Sequence, residues 1–167
     1  MAVHFSEISR MSLFRGFNED FVRLLDVFFT EKQYPAECII VKKGKIQKTF
    51  YMILSGEAEV FDEIENQKII YDTLSAGQFF GEINLFDPGS AIATVISLTP
   101  LRTLEISNEK FREFISQKPG LAADFTFQLA EIVAKRFRQA TDVIQKELTS
   151  PEAIRKAEQM PDKGMYT

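Results

Sequence analysis

The spacing of apolar residues changes along the chain and marks out three regions. Phe21, Leu24, Leu25 and Phe28 fall at i, i+3, i+4 and i+7 and so share one face of a helix. Asn18 stands where it can cap that helix, and Glu19 and Asp20 occupy the first turn, where the helix dipole favours acids. The helix is expected to end near Thr30, and Leu13-Phe14-Arg15-Gly16-Phe17 before it reads as an apolar lead-in with a turn. From about Tyr34 to Ile106 the pattern shortens to β-rich runs at residues 38–41, 50–55, 58–61, 68–74, 93–98 and 102–106. Pro35, Gly44, Gly56, Asn66, Gly77, Pro88-Gly89 and Pro100 lie between or beside these runs. Short strands spaced at roughly 8–12 residues predict an antiparallel roll or sandwich.

Helical spacing returns at Asn108, with Phe111, Phe114 and Ile115 expected on the buried side. Pro119-Gly120 interrupts it, and a longer helix is predicted over about residues 121–148. Leu129, Val133, Phe137, Ala140, Ile144 and Leu148 step along it by three or four residues, with Glu131, Lys135, Arg138, Asp142 and Lys146 off that line. Ser150-Pro151 has the form of a cap followed by a first helical proline, so a short helix is expected there, ended by Pro161. The organisation is therefore one domain over residues 11–148, with its roll at about 34–106, followed by a short helix and tail over 149–167.

Composition narrows the chemistry. Of the 167 residues 45% are hydrophobic and 26% charged, an ordinary balance for a chain with a real core. No run approaches the roughly 18 apolar residues of a membrane helix, and residues 1–7 lack the basic and apolar regions of a secretion signal, so neither membrane nor export is expected. Cys38 is the single cysteine and fits a reducing cytoplasm. A net charge of −4 argues against direct nucleic-acid binding. With one cysteine and His4 as the single histidine there is no zinc cluster, no His-rich iron site and no Ser-His-Asp redundancy, so no metal is expected. Catalysis, though carboxylates alone can perform it, has no support: neither a catalytic residue nor an enzyme is expected.

Residues 77–95 carry the functional signal. A strand ends at glycine, a short helical turn opens at Gly81-Glu82, and a Pro-Gly bend feeds the next strand. The unpaired N–H groups at the start of such a turn face outward as an anion cradle, and a carboxylate beside them can accept hydrogen bonds from a sugar hydroxyl. Phe80-Gly81-Glu82 followed by Ala93-Thr94-Val95, with Lys43-Gly44, the run from Phe50 to Val60 and Leu13-Phe14-Arg15-Gly16-Phe17, resembles the cyclic nucleotide-binding domain family over roughly residues 13–148. The resemblance implies a β-roll of the double-stranded β-helix (jelly-roll) kind, mainly β with an N-terminal helix and a long C-terminal helix. It also implies a ligand site at Phe80, Gly81, Glu82, Ile83, Ala91, Ile92, Ala93 and Thr94.

One position departs from the family. Its phosphate-binding arginine falls at Ala91, and Ile92 takes the small-residue position after it. Losing a charged hydrogen-bond partner costs on the order of 1.5–3 kcal/mol, about one to two decades in affinity. No cofactor is therefore certain, and a cyclic nucleotide, if held, is expected to be held weakly. Restoring arginine at 91 should strengthen binding if the pocket is otherwise intact. The expected function is a non-catalytic regulatory or sensor module with an impaired phosphate site, signalling through a protein partner. The alternative is a ligand-free interaction scaffold. In the family the helix after the roll often forms the dimer contact, so the stripe Leu129, Val133, Phe137, Ala140, Ile144 and Leu148 is expected to meet its copy in a homodimer. A last expectation puts Tyr166 of the tail into the empty pocket beside Glu82.

Overall fold

The computed structural model describes residues 5–9 and 11–150. His4, the short helix expected after Pro151 and the Tyr166 contact lie outside the described residues. In chain order the elements are α1 (Phe5–Ile8), α2 (Glu19–Phe28), β1 (Thr30–Tyr34), β2 (Ile39–Val41), β3 (Ile46–Gln47), β4 (Thr49–Ser55), β5 (Ala58–Ile64), β6 (Gln67–Leu74), β7 (Phe79–Phe80), α3 (Glu82–Phe86), β8 (Gly89–Ser90), β9 (Thr94–Ser97), β10 (Leu101–Ser107), α4 (Asn108–Gln117) and α5 (Pro119–Leu148). The chain divides into two units, Met1–Thr126 and Phe127–Thr167. The first contains every strand, and the second holds the greater part of α5.

Two antiparallel sheets form the roll, one in the order β1-β10-β4-β7 and the other β2-β9-β5-β6, with β3 and β8 as a small ribbon. Alternation along β4 explains the two layers of core. Tyr51 and Ile53 point between the sheets, where they join Val41, Ala58, Leu74, Phe80, Ala91, Val95 and Leu101 in one buried cluster. Phe50 points the other way and meets Phe79 at 5.3 Å and Phe125 at 6.2 Å between ring centroids. Phe14, Phe21, Phe28, Phe111 and Phe114 complete that helix-side layer through ring contacts with one another and with Phe125. A large share of the chain's 16 phenylalanines thus packs the helices onto the outside of the first sheet.

Helix α2 starts as expected, with the Asn18 side chain accepting a hydrogen bond from the Phe21 N–H at 3.1 Å. The structure corrects three other details. β1 is a strand where no apolar alternation announces one, because Thr-Glu-Lys-Gln-Tyr lies on a sheet edge and is exposed or half-exposed throughout. Ile115 is 44% exposed, since Asn108, Phe111 and Phe114 fill the buried face of α4. The long helix begins at Pro119, two residues earlier than expected, because proline at the first helical position forfeits no hydrogen bond.

Candidate functional site

The segment from Phe79 to Thr94 is built outward from a two-residue strand. Phe79 enters the helix-side layer and Phe80 the interior, where it stacks on Tyr51 at 4.7 Å with the rings 8° from parallel. Gly81 follows with φ +79°, and a Cβ there would lie 2.4 Å from the Thr49 carbonyl oxygen. Only glycine fits this close approach of two backbones. α3 begins at Glu82, which is half-buried, and the Leu85 N–H donates to the Gly81 carbonyl at 3.1 Å. Leu85 is fully buried, and its carbonyl accepts from the Asn108 side chain at 2.5 Å, which fastens α3 to the start of α4.

The next residues separate the expected site into an inner and an outer part. The Ala91 N–H donates to the Lys45 carbonyl at 2.9 Å, and the Ala91 carbonyl accepts from the Gly44 N–H at 2.8 Å. With its backbone pinned on both sides, Ala91 is 5% exposed and belongs to the apolar cluster between the sheets. Ile92 turns outward at 71% exposure and Ile83 is 52% exposed. Ala93 and Thr94 are half-buried, and the Thr94 hydroxyl oxygen accepts from the Lys43 N–H at 3.2 Å.

Residues 77–95 contain no lysine, arginine or histidine. Of the flanking cations, Arg102, Lys43 and Lys48 are paired with carboxylates, while Lys42 and Lys45 are exposed. Arg102 donates to Glu31 at 3.0 Å and to Glu7 at 2.9 Å. Lys43 pairs with Asp62, and Lys48 with Glu109 at 2.5 Å. The Asp62 pairing holds that carboxyl below its usual range and the lysine above its own, chiefly through the shared hydrogen bond. A cavity of about 330 Å³ opens beside this pair, lined by Ile39, Lys42, Lys43, Phe61, Asp62, Glu63 and Thr94. Thr94 is the one residue of the expected site that lines it.

A buried carboxylate on the inner face of β10 was not among the expected site residues. Glu105 is 4% exposed and lies opposite Tyr51 in the register of β4 and β10, on the face that also carries Leu101 and Thr103. It accepts from the Tyr34 hydroxyl at 2.5 Å and from Thr103 at 2.8 Å, and pairs with Lys32 at 2.9 Å. Burial, and then Glu105, push the Tyr34 phenol far above its ordinary value; burial and the same carboxylate raise that of Tyr51. The signal available in the sequence was an acid at a core-facing position of a strand, since Leu101, Thr103 and Glu105 alternate with period two. The interior is thus apolar at Ala91 and negatively charged, with its charge satisfied, at Glu105. Neither part complements an anion.

Among the described residues no group of three His, Cys, Asp or Glu side chains is placed to hold a metal, and no helix is long and apolar enough to cross a membrane.

Two antiparallel sheets rolled together, with helices before and after them in the chain and a Phe-Gly-Glu turn leading into an Ala-Thr strand, make a β-roll domain. The profile of the cyclic nucleotide-binding domain matches residues 31–118, and the chain belongs to that family. It is 35% identical over 125 residues to the cAMP-activated global transcriptional regulator CRP of Haemophilus influenzae, covering 72% of this chain and 56% of that protein. The chain therefore spans little more than half the length of that relative. The catabolite activator protein of Thermus thermophilus superposes with a TM-score of 0.71 at 27% identity, over 83% of this chain and 63% of that one. A cyclic nucleotide-binding domain from Methylobacillus flagellatus KT gives a TM-score of 0.78 at 22% identity over 87% and 85% of the two chains, a likeness of fold.

Proposed function

We propose that this chain is a non-catalytic regulatory module of the family whose phosphate site is impaired, and that it signals through a protein partner. The observation that carries the reading is Ala91, an uncharged side chain sealed in an apolar cluster at the family's phosphate-binding position. An anion brought there would lose its water and gain no cation, a combination that physical chemistry penalises heavily. The groups of the family's site that stand beside Ala91 in the chain are the backbone at Gly81, the Glu82 carboxylate that opens α3 and the hydroxyl of Thr94. A cytoplasmic location suits the lone thiol of Cys38.

Calorimetric titration with cyclic AMP and cyclic GMP tests this. The expected result is binding weaker than micromolar, or none. Submicromolar affinity for either nucleotide refutes the impaired site. Complete absence of heat with both, together with an unchanged melting temperature, favours the second reading: a ligand-free scaffold, supported by the same closed cluster.

We infer further that the second unit pairs with its copy. On α5, Phe137, Ile144 and Leu148 are 73%, 58% and 69% exposed, Ala140 is exposed and Val133 is half-buried. Leu129 is fully buried, so the stripe left open runs from Val133 to Leu148. A two-fold partner would cover it with an identical stripe. Phe137→Glu should convert a dimer to a folded monomer in sedimentation; a native chain already monomeric at high micromolar concentration refutes the pairing.

A further inference from the structure

β6 closes the sheet order β2-β9-β5-β6, so among the described residues one backbone edge of this strand has no neighbour. Seven of its eight residues are exposed. They include Ile69 at 39%, Ile70 at 55% and Tyr71 at 54%, and Ile64 across the turn is 50% exposed. The ribbon of β5 and β6 turns tightly through Glu65 and Asn66, with φ of 53° and 63°, the backbone of a two-residue hairpin whose twist suits paired strands. Its register slips once: Val60 faces Asp72 while Phe61 faces Ile70, which leaves Tyr71 as the extra residue of a bulge. The regular stretch of free edge is therefore Gln67–Ile70.

A long edge with consecutive exposed apolar side chains invites strand pairing. Charge decides with what. Residues 57–74 hold six carboxylates and one lysine. Asp62 is matched by Lys43 and Glu59 by Lys68. Glu57, Glu63, Glu65 and Asp72 are exposed, and none of them forms an ion pair among the described residues. A second copy laid edge to edge would bring two acidic ribbons together, so the charges that keep copies apart select a basic occupant instead.

We propose that the free edge of β6 is a docking strip for an extended segment of a partner protein that alternates apolar with basic side chains and adds to the sheet as a further strand. Main-chain hydrogen bonds to Gln67–Ile70 supply the pairing. Apolar side chains of the segment cover Ile70 on one face of the ribbon, and its lysines or arginines, on the other face, reach Asp72, with Glu65 at the turn. The strip does not depend on whether a nucleotide binds.

The test uses the full chain and a short peptide alternating lysine and valine, read by residue-resolved amide hydrogen exchange. Slowed exchange centred on residues 67–70, affinity that falls with added salt, and loss of binding when alternate peptide amides are N-methylated support the strip. The surface double variant Glu65→Lys, Asp72→Lys should bind about tenfold more weakly, as expected for two rim charges. Equal binding by the N-methylated peptide overturns the proposal, because charge alone would then explain the contact. Protection elsewhere, or none at millimolar peptide, also overturns it. So does protection of residues 67–70 that grows with protein concentration in the absence of peptide, which would make the occupant a second copy.

Discussion

Ala91→Arg separates a vacated phosphate site from a closed one. A vacated site would accept the guanidinium and gain affinity. The structure argues otherwise, because the hydrogen bonds from the Ala91 N–H to Lys45 and from the Gly44 N–H to the Ala91 carbonyl fix the direction of the Cβ. The new side chain must enter the apolar cluster of Val41, Phe80, Val95 and Leu101, and the carboxylate that shares this interior, Glu105, is already committed to Tyr34, Thr103 and Lys32. Overpacking a filled core costs about 1–3 kcal/mol, and an unpaired buried charge adds several more. A loss of about 4 kcal/mol is a large part of the roughly 5–15 kcal/mol that holds a domain together. It corresponds to a melting temperature lower by about 8–16 °C for a chain of this length. Thermal unfolding followed by circular dichroism, with and without cyclic AMP, reads it directly. Ala91→Met supplies volume without charge and should recover about half the loss. If Ala91→Arg melts with the native protein and binds cyclic AMP at least tenfold more tightly, the reasoning about a sealed cluster is wrong.

Two further perturbations test the local geometry. Gly81→Ala should destabilise by about 2 kcal/mol or more, since it combines a left-handed backbone with a Cβ 2.4 Å from a carbonyl oxygen. Gly120→Ala, in the first turn of α5 with nothing within 4 Å, should instead stabilise by about 0.5–1 kcal/mol; denaturant midpoints that rank the two variants the other way refute this. Glu109 is held at about 2 against an ordinary 4.5, first by the hydrogen bond from Lys48 and then by backbone and Ser107 donors. Because its folded-state value is depressed, its contribution is complete above about pH 4.5 and is lost as the pH falls toward 2. Lys48→Met should flatten the acid limb of a melting-temperature profile over that window, and an unchanged limb would remove the pair from the account.

Local rules made much of the framework readable. The Asn18 cap, the apolar face led by Phe21 and Leu25, and the turn glycines each follow from chemistry within a few residues. β1 escaped because its polar residues act through β10, Lys32 and Tyr34 reaching Glu105, a contact 71 residues away for the tyrosine. The two-residue strands β3, β7 and β8 are too short to show a period. At the candidate site, the absence of any lysine, arginine or histidine over residues 77–95, Ala91 included, was visible in the order of residues. That its side chain is buried against both sheets was not, because burial there depends on the long-range pairing of Gly44 and Lys45 with the segment after β8. The pairing of Lys43 with Asp62 likewise needs β5 beside the loop after β2.

The two residues of β7 have a consequence for how the molecule opens. Phe79 is committed to the helix-side layer and Phe80 to the space between the sheets, so the adjoining turn is riveted through the sheet rather than hinged upon it. To swing away, this turn would have to withdraw both rings, and withdrawing both undoes the two layers together. The segment therefore does not behave as an independent cooperative unit with its own low-energy opening. The buried Leu85 amide, bonded to the Gly81 carbonyl, should therefore exchange only with the unfolding of the whole roll.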